Sequence, residues 1–198
     1  STRCPLARGT AVRRSKRSEQ IHFCLGGPTY AQTDDRRYPL TILDMVLGGN
    51  MSSRLFQEIR EKRGLAYAIG SYTTAYRDCG LLTIYGGTSP VTMQQVLDTT
   101  FAELERLRTE GLSQDEILRA KTQIRGALVL GLENMSSRMM RMGKSTLYHG
   151  RVIPLEEVSA GVSRVTADDI LAVANEVLDQ RNLSFAAVGP FPRGRSQQ

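Results

Sequence analysis

The chain has 198 residues, 40% of them hydrophobic, which is enough for one large domain or two small ones around a buried core. Its net charge is +6, yet residues 1–18 hold six basic residues and no acid, so the other 20 Lys and Arg are matched by 20 Asp and Glu. A formally neutral body has no field with which to gather nucleic-acid phosphates, and no apolar run approaches the roughly 18 residues of a membrane span. Neither a nucleic acid nor a membrane is therefore expected as partner.

In chain order, the basic segment comes first. It reads as a solvated linker rather than a mitochondrial transit segment, because it lacks a regular apolar face. Ile21, Phe23 and Leu25 then alternate with Gln20, His22 and Cys24, the period-two pattern of a half-buried strand, which Gly26-Gly27-Pro28 should end. Leu40, Leu43, Val46 and Leu47 fall at helical spacing over residues 36–47, with Pro39 tolerated in the first turn and Gly48-Gly49 as the stop. A second helix is expected from Ser52 to Lys62, ended by Arg63-Gly64.

AYAIGSYTTAY and GLLTIYGGT come next, joined by Arg77-Asp78-Cys79-Gly80, and read as an antiparallel hairpin. Ser89-Pro90 predicts a helix start, with Val96, Leu97, Phe101 and Leu104 as its buried stripe. Ser113 and Glu116 form the next capping box, opening a helix through Ile117, Leu118, Ile124 and Leu128. The helix after it is rich in methionine, and Met135, Met139 and Met142 are read as adaptable core. Helices near 155–162 and 167–178, the second with a capping pair Thr166 and Asp169, precede a last strand at 183–188.

The pentapeptide NMSSR occurs twice, from Asn50 and from Asn134. Both copies are read as one way to start a helix, with Asn and Ser oxygens accepting from first-turn amides, rather than as a duplicated module. The element order argues for an α+β fold, a mostly antiparallel sheet of four strands or slightly more covered by a layer of helices. The domain reading is a flexible basic linker or tail at 1–18, a single α+β lobe at 19–191 and a disordered tail at 192–198.

Chemistry is sparse. His22 and His149 are the only histidines, too far apart for HExxH or HxxEH, and the cysteines at 4, 24 and 79 form no CxxC. No metal site is expected in this chain, and the cysteine usage suits a reducing compartment. Within REKRGLAY, Arg60 ends a helix and Tyr67 comes after a glycine turn, so a guanidinium and a phenol could converge on a carbonyl oxygen. Helix-end complementarity for Arg60 and sheet filling for Tyr67 are the plainer alternative.

The stretch GGNMSSRLFQEIREKRGLAYAIGSYTTAYRDCGLLTIYGGTSP, continued in LENMSSRMMRMGKSTLYHGR and LSFAAVGPF, resembles the C-terminal lobe of the pitrilysin/insulinase family of zinc metallopeptidases, in its mitochondrial-processing-peptidase-like branch. The resemblance implies a zinc metalloendopeptidase in which two α+β lobes enclose unfolded peptides. An N-terminal lobe, in the same polypeptide or in a partner subunit, would carry HxxEH and the zinc. This chain would contribute Arg60 and Tyr67 to substrate binding and transition-state support, and Gly48-Gly49 would stand where some relatives carry a glycine-rich, substrate-binding loop. It also implies that the chain alone is inactive, that residues 1–18 are an interlobe linker, and that the compartment is the cytoplasm or, alternatively, the mitochondrial matrix. A catalytically dead structural or peptide-binding subunit of the same family is the second reading, and a homodimer is left open.

Overall fold

The computed structural model describes residues 9–191, so the expectations for residues 1–8 and 192–198 lie outside it. Five strands form one sheet: β1 (Ala11–Ser15), β2 (Ile21–Thr29), β3 (Ala66–Ala75), β4 (Gly80–Thr88) and β5 (Ser184–Gly189). Their spatial order is β1-β5-β2-β4-β3, with only β1 and β5 parallel. Six α-helices accompany it among the described residues: α1 (Arg37–Leu47), α2 (Met93–Thr109), α3 (Gln114–Leu130), α4 (Met135–His149), α5 (Leu155–Arg164) and α6 (Ala167–Val177). The expected α+β architecture is thus present.

One sheet face is built from residues that the pleat places together. Ile21, Phe23 and Leu25 of β2 sit beside Ile84 and Leu82 of β4 and Ile69 of β3, all buried. Leu43 and Leu47 of α1, Val96, Leu104 and Leu107 of α2, Ile117 of α3 and Ile170 and Val173 of α6 complete the same apolar cluster. The opposite face is left open, with Leu81, Tyr72 and Tyr85 partly exposed and the two tyrosine rings 5.8 Å apart.

Several expectations need correction. Residues 11–15, read as part of a flexible tail, form the edge strand β1; all five side chains stay exposed, so Arg13 and Arg14 remain hydrated while only backbone pairs with β5. β2 runs on through Gly26-Gly27-Pro28, because β5 has ended opposite Gly26 and the strand beyond is paired on one side only. Ser89-Pro90 lies in a turn, and α2 begins at Met93. The methionine helix α4 has no buried residue, with Met135 75% and Met139 65% exposed, so it is not core. Both capping boxes, Ser113 with Glu116 and Thr166 with Asp169, form at the expected residues.

Candidate functional site

The helix expected from Ser52 to Lys62 becomes helical only at Arg54 and runs as a π-helix over Phe56–Glu61, where the Lys62 amide donates to the Gln57 carbonyl five residues back at 2.9 Å. The widened turn keeps Leu55 and Ile59 fully buried while Arg60 is exposed. Gly64 then reverses the chain with φ +61°, a conformation that costs glycine nothing. The turn is pinned from both sides: the Leu65 amide donates to the Ile59 carbonyl at 2.9 Å, and the Leu65 carbonyl accepts from the Thr88 hydroxyl at 2.6 Å.

A second irregularity lies directly beyond the turn. In the β3–β4 ladder Ala66 pairs with Thr88 and Ala68 with Gly87, so Tyr67 is the extra residue of a β-bulge. A regular strand would put Ala66 and Ala68 on one face and Tyr67 with Ile69 on the other. The bulge instead buries Ala66 and Ile69 and leaves Tyr67 81% exposed. A π-helix and a bulge therefore flank the glycine turn and bring Arg60 and Tyr67 to one open cleft of about 530 Å³, floored by Leu65, Ala66, Thr88 and Thr92.

The cations near this cleft are not equivalent. Lys62 and Arg63 both bind Glu58, each at 2.5 Å, and their hydrogen bonds, Lys62's first, hold the Glu58 carboxyl below its usual range. Arg60 makes no ion pair among the described residues; its guanidinium carbon lies 4.9 Å from the centre of the Phe56 ring. The Tyr67 hydroxyl likewise has no hydrogen-bond partner among the described residues. Two donors thus face solvent from rigid backbone with their bonding capacity free.

Gly48 and Gly49 are not part of this cleft. Gly48 is buried where α1 meets β3: a Cβ there would lie 2.4 Å from the Ser71 nitrogen, and the Gly48 carbonyl accepts from that same amide at 3.1 Å. Beside it Asp44 accepts from the Ser71 hydroxyl, and burial pushes the Asp44 carboxyl upward. The position serves helix-on-sheet packing.

Sequence reasoning missed the anchor of the arginine-bearing helix. Arg54 grips Glu116 of α3 in a bidentate pair, Nε to Oε1 at 2.8 Å and Nη2 to Oε2 at 2.9 Å, donates to the Gly111 carbonyl at 3.2 Å, and faces Glu103 of α2 at 4.0 Å. Burial pushes Glu116 up, but its donors, Arg54 and Ser113, outweigh this and hold it at about 2. The only signal was an arginine directly before an apolar Leu-Phe pair, which cannot name a partner 62 positions away.

No group of three His, Cys, Asp or Glu among the described residues could hold a metal, so the described side chains do not fit a zinc ion. Nor is any helix among them long and apolar enough to cross a membrane.

A family model described as the M16 peptidase inactive domain matches residues 2–124. The chain belongs to this family. A protein of Streptomyces coelicolor named an uncharacterized zinc protease is 46% identical over 176 residues, covering 89% of this chain and 38% of its own length. One of Bacillus subtilis, named likewise, is 38% identical over 177 residues, covering 89% of the chain and 43% of its own length. The chain spans about two-fifths of these relatives. In fold it superposes on an M16 inactive-domain crystal structure from Pseudomonas fluorescens with a TM-score of 0.85, at 20% identity, covering 96% of this chain and 45% of that one.

Proposed function

We propose that this M16 inactive domain works as the non-zinc wall of a peptide-enclosing peptidase and that Arg60 and Tyr67 hold the carbonyl oxygen of the bond being cleaved. The observation behind this reading is the pairing of one unengaged guanidinium and one unengaged phenol in a single cleft, each aimed by its own backbone irregularity. Irregularities of this kind weaken regular pairing and persist where a side chain must be re-aimed. As negative charge grows on a substrate carbonyl oxygen, N–H and O–H donors already in place stabilise it without reorganising. Thr88 and the Gly64 turn do not touch substrate in this scheme; they fix the separation between the two donors.

In this reading the zinc sits on another lobe, since the described residues of this chain do not fit it. The length of the relatives, and their naming as zinc proteases, supports a longer polypeptide or partner that supplies that lobe. Joined to it, Arg60→Ala and Tyr67→Phe should each lower kcat on an unfolded peptide by about 10²–10³-fold, with a smaller change in KM. Both residues are exposed, so thermal unfolding should barely move. Unchanged turnover in both variants would remove them from the mechanism, and peptide binding without any turnover would favour the structural or peptide-binding reading.

A further inference from the structure

Helix α4 is amphipathic in the wrong direction for a surface helix. At 100° per residue, Arg141, Ser145 and Tyr148 share one stripe, and with His149 they are the half-buried residues of the helix. Polar bonds strap that stripe down: Arg141 Nη2 donates to the Ile153 carbonyl at 2.9 Å, Ser145 Oγ to the Arg151 carbonyl at 2.9 Å, and the Ile153 amide to Ser145 Oγ at 2.7 Å. The apolar stripe points outward, with Met135 75%, Met139 65%, Met140 55% and Leu147 80% exposed around Gly143, beside which nothing lies within 4 Å. Val129 and Leu130, at the end of α3, are exposed as well, at 61% and 64%. Large apolar side chains exposed together in this way mark a contact site.

The charges choose the occupant. Arg138 and Lys144 are exposed on either side of the outward stripe and residues 135–149 contain no acid, so a second copy would bring like charges together around the seam. No Trp or Phe lies on the outward stripe, which argues against an interfacial membrane helix, whereas methionine suits a protein groove. The relatives, meanwhile, hold more than half of their length outside the matched segment. We propose that the Met135, Met139, Met140 and Leu147 face of α4 docks onto the lobe that accompanies this domain, in an apolar groove rimmed by carboxylates. This rests on the reading that such a lobe exists, and it adds the surface by which the two lobes are held in register.

The test compares the 198-residue chain alone with the same chain grafted in place of the matched segment of the Streptomyces coelicolor relative. Oxidation of Met135, Met139 and Met140 by peroxide, measured by mass spectrometry, should be at least about tenfold slower in the graft. Equal rates would overturn the proposal. Should the graft not fold, the chain and the rest of the relative are co-expressed as two polypeptides. Co-purification is then expected, weakened about 30-fold or more by the double variant M139E/L147E, and its absence with the unmodified chain would overturn the proposal. So would a dimer of the isolated chain that M139E/L147E dissociates, or flotation of the chain with phosphatidylcholine–phosphatidylglycerol vesicles. Protection that survives Arg60→Ala separates docking from the catalytic reading: docking stands if Met139 is protected while turnover is indifferent to Arg60 and Tyr67.

Discussion

Replacing Arg54 with methionine tests whether the helix that bears Arg60 is held by a buried electrostatic clamp. The side chains of Arg54, Glu103 and Glu116 are only 15%, 6% and 19% exposed. Removing the guanidinium strands two carboxylates in poor solvent, a change that costs about 3–5 kcal/mol when nothing compensates. Here Glu103 keeps Arg106 at 2.9 Å and Glu116 keeps the Ser113 amide and hydroxyl, each at 2.9 Å. The lower end, about 3 kcal/mol, is therefore expected, and for a chain of this size that lowers Tm by roughly 6–12 °C. Urea unfolding of Arg54→Met should show a lower midpoint with an unchanged slope, and the loss should persist at high salt, because a desolvated pair is poorly screened. Arg54→Lys should recover part of it, keeping the charge but not the fork. A loss below about 1 kcal/mol would place Arg54 among ordinary surface pairs and refute the clamp.

Glu116, held at about 2 against an ordinary 4.5, contributes stability that is present above pH 4.5 and lost as the pH falls toward 2. Urea midpoints should decline across that window, and Glu116→Gln should flatten the decline. Gly48→Ala should destabilise by about 1–3 kcal/mol, measured by the same unfolding, because its Cβ would meet backbone atoms of Gly70 and Ser71 at 2.8 and 2.4 Å. Gly64→Ala meets no neighbour but must hold φ +61°, so it should cost about 1 kcal/mol, and with a zinc lobe present it should lower turnover more than this stability loss explains.

Only local features could be read from the chain alone. Hydrophobic period located β2 and the β3–β4 hairpin, and Ser113 and Thr166 marked helix starts because a capping box is a four-residue event. β1 was missed because its pairing reaches across the chain to Phe185–Gly189, and a strand with no buried side chain leaves no alternation to find. The π-helix and the bulge are each a single-residue insertion in an otherwise regular ladder, below what periodicity resolves, yet they decide where Arg60 and Tyr67 point. Period also gives a stripe without its direction. Met135 and Met139 of α4 do share one face, but that face looks away from the core.

The repeated NMSSR separates these two levels within one chain. Only the second copy caps a helix: Asn134 Oδ1 accepts from the Ser137 amide at 3.1 Å, whereas Asn50 Oδ1 accepts from the Ser52 amide at 2.7 Å within a turn and the helix begins four residues on, at Arg54. The final arginine then meets different surroundings. Arg54 turns inward onto Glu116 and Glu103 and fixes the helix that carries Arg60, whereas Arg138 stays exposed at the edge of the apolar face of α4. Five identical residues thus share an asparagine-headed turn but not its outcome, and the acids that α2 and α3 bring to Arg54, with none paired to Arg138 among the described residues, set whether the arginine anchors the helix that carries Arg60 or stays exposed on α4. The pentapeptide by itself therefore carries no functional assignment. What differs lies around each copy, a π-turn with a glycine reversal after the first and exposed methionines on the helix of the second.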